Sequence, residues 1–107
     1  MNFGTSHWIE NGAMTANITA DPFDLRYQLA FTVNFVWTGT PTGNVGIEGS
    51  TDGTNWFVIS TAVQATAGAA GSHTVDYSNP GFIYMRPYFT FTSGTGTLQA
   101  YVSTKGA

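Results

Sequence analysis

The amino-acid sequence predicts an all-β protein: a single antiparallel β-sandwich or jelly roll of about seven to eight strands with essentially no helix. Three observations carry this reading. Apolar and polar residues alternate with a period of two in several segments, most clearly over residues 27–37, which is the mark of half-buried strands. Clusters of Gly, Pro, Asn, Asp, Ser and Thr interrupt the alternation roughly every 8 to 12 residues. No segment carries apolar residues at the three- and four-residue spacing of an amphipathic helix.

The elements follow in chain order. Residues 1–11 place Phe3, Trp8 and Ile9 ahead of the first clear strand and are expected to form an N-terminal contact arm, while residues 13–20 read as the first strand, ending near Asp21-Pro22. In residues 27–37, Tyr27, Leu29, Phe31, Val33, Phe35 and Trp37 occupy one parity, and Gln28, Ala30, Thr32 and Asn34 occupy most of the other. The turn formers of residues 38–44 then predict a hairpin to a second strand at 45–51. Asp52-Gly53 supplies the positive φ of a tight turn before a short strand at 56–59. Residues 62–71 hold five alanines and two glycines without helix caps and read as a surface loop.

Residues 72–77 form the next strand, 78–81 a turn, and 82–92 a long aromatic strand with Ile83, Met85, Phe89 and Phe91 on its inner parity. Tyr84, Arg86 and Tyr88 fall on the outer parity. Pro87 cannot donate to a ladder, so it is expected at a bulge or against an unpaired edge. Ser93-Gly94-Thr95-Gly96 predicts a second hairpin, closed by a last strand at 98–103.

Composition bounds the function. At 107 residues the chain reads as one domain, residues 1–107. The absence of cysteine excludes disulfides and thiolate metal sites. Only 8% of residues are charged, against about 25% in an ordinary domain. The basic residues Arg26, Arg86 and Lys105 are too few and too scattered to neutralise phosphates, which argues against nucleic acid. With 42% hydrophobic residues the chain can bury a core, yet no apolar run is long enough for a membrane span. The N-terminus lacks the basic and apolar regions of a signal peptide. A composition rich in Thr, Ser, Gly, Asn and aromatics is that of proteins working outside a cell. Together these lead to the expectation of a virion component made in the host cytoplasm.

A search for chemistry returns no catalytic residue, metal ligand or cofactor site, and the chain is expected not to be an enzyme. His73 lies near Ser72 and Asp76, but positions three apart on a strand face opposite ways, so no triad forms locally. Asp21 and Asp24 lack the spacing of a calcium loop. Gly94-Thr95-Gly96 lacks the lysine and helix of a phosphate loop. Trp37 and Trp56 read as core or rim residues of a small sandwich. The outward Tyr84, Arg86 and Tyr88 are either a binding surface or a subunit interface, residue types that interfaces favour; the scarcity of charge tips the reading towards an interface.

Ser50-Thr51-Asp52-Gly53-Thr54-Asn55-Trp56, followed further on by Tyr84-Met85-Arg86, resembles the S-x-D-G-x-x-W and Y-x-R pattern of discoidin-like, galactose-binding-type jelly rolls. Ending in a Ser-Gly-Thr-Gly turn and a last strand, the same pattern resembles small β-sandwich proteins of bacteriophage particles, over about residues 27–105. That resemblance implies a non-enzymatic structural protein of a virion: a decoration, vertex or minor capsid component that forms a homo-oligomer and docks with other virion proteins on a shell. Its expected contacts are Phe3, His7, Trp8 and Ile9 of the arm with Tyr84, Arg86 and Tyr88. The alternative is a carbohydrate-binding module used for host adsorption, with Asp52, Asn55, Trp56 and Arg86 holding a cell-surface glycan.

Overall fold

The structure, a computed structural model, describes residues 3–26, 28–78 and 80–106, with side chains at 7–26, 29–78 and 80–105. Among these, ten strands form two antiparallel sheets packed face to face, the predicted sandwich. Sheet A runs β1 (Phe3–Ala13), β10 (Gly96–Gly106), β4 (Gln28–Gly39), β8 (Gly71–Ser78). Sheet B runs β2 (Ile18–Thr19), β9 (Tyr84–Ser93), β5 (Thr42–Ser50), β6 (Phe57–Val58), with β3 (Phe23–Asp24) also on β9 and β7 (Gln64–Ala65) also on β5. A 3-10 turn at Ser60–Ala62 is the one helical piece among the described residues.

The predicted alternation builds the core. Phe31, Val33, Phe35 and Trp37 of β4 and Leu98, Ala100 and Val102 of β10 face Val45 and Ile47 of β5 and Met85 and Phe89 of β9 across the interior. Tyr27 lies outside the described residues. Trp37 is a core residue whose Nε1 donates to the Ala69 carbonyl at 2.8 Å, anchoring the alanine-rich loop to the sandwich.

Both expected hairpins at residues 38–44 and 93–96 are instead arches from one sheet to the other, since β4 and β10 belong to sheet A while β5 and β9 belong to sheet B. Alternation reports that one face of a strand is buried, not which sheet the next strand joins. The two arches lie side by side: Thr40 N donates to Thr95 O at 2.8 Å. A Cβ on Gly94 would sit 2.1 Å from Thr40 O, and Gly94 also holds a φ of +86°, so glycine is required there. The Asp52-Gly53 turn does return to its own sheet, pairing Gly49 with Phe57.

The first strand is β1 rather than residues 13–20, where the chain turns at Met14 and regains pairing only at β2. The described part of the expected arm is therefore a strand in register with β10, from Phe3 opposite Lys105 to Ala13 opposite Thr97.

Pro87 is buried within β9, opposite Ile47 of β5. Ala20 N donates to Pro87 O at 3.0 Å, and a strand residue's N and O point the same way, so the proline nitrogen also faces residues 20–22. There the neighbouring strand is broken, with β2 pairing Tyr88 and Phe89 and β3 pairing Tyr84 and Met85. The sequence expectation of an unpaired edge holds for that single position.

Candidate functional site

The outer face of sheet B carries the most organised cluster of polar and aromatic side chains. β9 directs Met85, Pro87 and Phe89 inward, so Tyr84, Arg86 and Tyr88 project outward, as their parity predicts. Register with β5 sets Arg86 opposite Glu48 and Tyr88 opposite Gly46.

Three contacts fix the cluster. Arg86 Nε donates to Glu48 Oε1 at 2.9 Å, with both side chains three-quarters or more buried. The Arg86 guanidinium lies 4.0 Å above the Trp56 ring centroid, a cation–π contact that shields one face of the indole. Tyr88 lies across Gly46, whose absent side chain leaves the space: a Cβ there would stand 2.8 Å from the Tyr88 hydroxyl. Burial, with the Glu48 charge adding to it, holds the Tyr88 phenol above its ordinary value of 10.

Beside this cluster an open depression of about 280 Å³ is lined by Asn17, Thr19 and Thr90 with Glu48, Arg86 and Tyr88. Its lining mixes carboxylate, guanidinium, amide and hydroxyl groups with the apolar Ile18, Val58 and Phe89, a combination of polar and apolar contacts that a small polyhydroxylated ligand can use.

The residues expected as a glycan site divide in two. Arg86 and Trp56 meet, as above. Asp52 and Asn55 are absorbed by their own turn: Asp52 Oδ1 accepts from Thr54 N and Asn55 N at 2.8 Å, and Asp52 Oδ2 accepts from Asn55 Nδ2 at 2.7 Å. Ser50 Oγ donates to Asp52 Oδ1 at 3.1 Å and accepts from Gly53 N at 2.8 Å. These bonds, the backbone N–H of Asn55 and Thr54 foremost, hold the Asp52 carboxyl far below the usual carboxylate range. Gly53, with a φ of +79°, closes the turn against the Tyr84 ring. The Asp-Gly motif is thus accounted for by a turn that satisfies itself.

The expected interface residues do not gather on one surface. Tyr88 is only 8% exposed because Gly46 lets it lie flat, and Ile9 at 6% is part of the core. Both are removed from the surface they were expected to share. His7 stands on the outer face of sheet A, stacked on Tyr101 with ring centroids 4.4 Å apart and hydrogen-bonded to Gln99. Trp8 packs on Phe23 at 4.5 Å and donates to the Asp21 carbonyl. The Phe3 side chain, like residues 1–2 of the arm, lies outside the described residues. His73 points inward with Nε2 2.9 Å from the Ala62 carbonyl, while Asp76 points outward to Thr32, so no triad forms.

Glu48 and Gly46 were not singled out in sequence. Glu48 did leave a trace: it is the only charged residue between positions 27 and 51.

No protein-family model matches the chain, and no curated protein matches it in sequence. Solved structures do share its fold. The SPBc2 prophage-derived protein YomS superposes with a TM-score of 0.63 at 12% identity, covering 95% of this chain and 93% of that one. The PBSX exported protein XepA gives a TM-score of 0.70 at 18% identity over 97% of this chain, which spans 37% of XepA. A CBM4 structure matches with a TM-score of 0.51 at 14% identity, covering 96% of this chain and 71% of that one. The fold class is therefore a β-sandwich found in prophage-derived proteins and in a carbohydrate-binding module. No helix among the described residues is long and apolar enough to cross a membrane.

Proposed function

We propose that the chain is a non-enzymatic structural protein of a bacteriophage particle, a decoration, vertex or minor capsid component that associates with itself and docks on a shell. The observation that carries this reading is the likeness to the SPBc2 prophage-derived protein YomS, which covers 95% of this chain and 93% of that one. The scarcity of charge supports it, since a chain with only 8% charged residues leaves few charges to desolvate on burial against neighbours. The assigned role needs no catalytic residue and no cofactor.

The test is to separate, on a density gradient, the particles released by a bacterium carrying this chain, and to measure the chain by mass spectrometry across the fractions. Co-sedimentation with intact particles at a fixed ratio to the major shell protein is the expected result. Recovery only among free proteins at the top of the gradient overturns the reading.

A second reading, a carbohydrate-binding module for adsorption, is favoured by the depression beside Glu48, Arg86 and Tyr88 and by the fold shared with CBM4. On this reading the sugar hydroxyls meet Glu48, Arg86, Asn17, Thr19 and Thr90, while Asp52 and Asn55 serve only to hold the adjoining turn. A glycan array should then give hits that Glu48→Gln abolishes. An array without hits removes this reading and leaves the first untouched.

A further inference from the structure

A β-sandwich must protect the edges of its sheets, because a regular edge strand offers unpaired N–H and C=O groups to any other strand. Three of the four edges here are protected by their own construction. In sheet B, β2 and β3 on one side and β6 and β7 on the other are strands of two residues each, too short to template a partner. In sheet A, β1 is interrupted by register shifts between His7 and Ile9 and between Ile9 and Gly12, and Asn11 holds a φ of +52°. Bulges of this kind twist an edge away from pairing.

β8 is the exception. It pairs with β4 without a shift, from Ala30 opposite Ser78 to Trp37 opposite Gly71. Among the described residues no backbone hydrogen bond joins residues 71–78 to anything but β4. The strand contains no proline and no lysine, and Asp76 is its only acidic residue.

We propose that β8 is the self-association surface of this protein, pairing antiparallel with β8 of a second copy across a two-fold axis to make one continuous eight-stranded sheet. The proposal rests on the self-association reading above and names its surface. Opposed residues must point to the same side, so the two longest two-fold registers set either Thr74 or Val75 opposite its own copy. In the first, Asp76 faces Ser72; in the second, it faces Thr74. Both give the carboxylate a hydroxyl partner rather than its own copy, so a second β8 can pair here without setting like charges directly opposite. The outward side chains that would line the junction, Ser72, Thr74 and Asp76, are all exposed in the single chain.

The test is light scattering after size exclusion over rising concentration, combined with amide hydrogen exchange. The expected result is a doubling of the 11.4 kDa chain mass, with exchange of alternate β8 amides slowed at least tenfold in the dimer. Thr74→Asp sets the new carboxylate against its own copy in the first register and against Asp76 in the second, and should return the chain to the monomer mass with its circular dichroism unchanged. Should that variant fail to fold, Ser72→Asp combined with Ser78→Asp, on the same exposed face, opposes carboxylates in either register and takes its place. Glu10→Lys on the opposite edge should leave the dimer intact. A dimer that survives the β8 substitutions, or whose protection falls outside β8, overturns this surface while self-association stands. A chain that stays monomeric throughout overturns both this surface and self-association in the free protein, leaving particle docking to the gradient experiment.

Discussion

The outer faces of the two sheets are built on opposite plans. On sheet B, Arg86 is held between Glu48 and Trp56, and Tyr88 lies in the space left by Gly46, so the face is covered by its own side chains. On sheet A, short polar groups stand in rows: Thr32 donates to Asp76 at 2.6 Å, Thr74 to Asn34 at 3.1 Å, and Tyr101 leans on His7. A covered face contributes to the stability of the single chain. A face of exposed hydroxyls and amides, with Asp76 its carboxylate on β8, contributes little to it and leaves those groups open to a partner.

That difference can be tested by substitution on each face. The largest effect is expected at Gly46→Val, whose Cβ would displace the Tyr88 ring; a loss of about 3 kcal/mol in urea unfolding is predicted from overpacking. A variant as stable as the parent would mean that Tyr88 does not hold this face closed. Next, Arg86→Ala removes the cation–π contact and leaves Glu48 three-quarters buried without its partner, a loss of about 2 kcal/mol with a change in Trp56 fluorescence.

The Asp52 turn at the rim of sheet B should make stability depend on acid. Its carboxyl is depressed when folded, so its contribution is complete above the unfolded value of about 4 and is lost as pH falls towards the folded value. Asp52→Asn should therefore flatten the decline in melting temperature below about pH 4. An unchanged acid profile would assign that decline to other carboxylates. The smallest effect belongs to sheet A: Tyr101→Ala, on an exposed ring, should change stability by no more than about 0.5 kcal/mol. A larger loss would show that the polar face is also structural.

The long alternating strands were legible in sequence because one face of each is buried, as Phe31, Val33, Phe35 and Trp37 show. β1 was not, because its two register shifts break the period of two and make a paired strand read as an arm. The arches read as hairpins because Thr40-Pro41 and Gly94-Thr95 turn the chain with the same residues a hairpin uses. At the site, the outward stripe of β9 followed from parity. The burial of Tyr88 did not, because it depends on a glycine more than forty positions away across the sheet.

The break between β2 and β3 around Pro87 also acts as a check against misassembly. A two-residue slip of residues 18–24 along β9, which would keep every side chain on its own face, would set the non-donating nitrogen against a carbonyl of β2 or β3 and leave that carbonyl without its ladder donor. Hydrophobic patterning alone cannot reject such a slip. The proline thus serves as a registration mark for one side of the sandwich, penalising the error that apolar burial would tolerate.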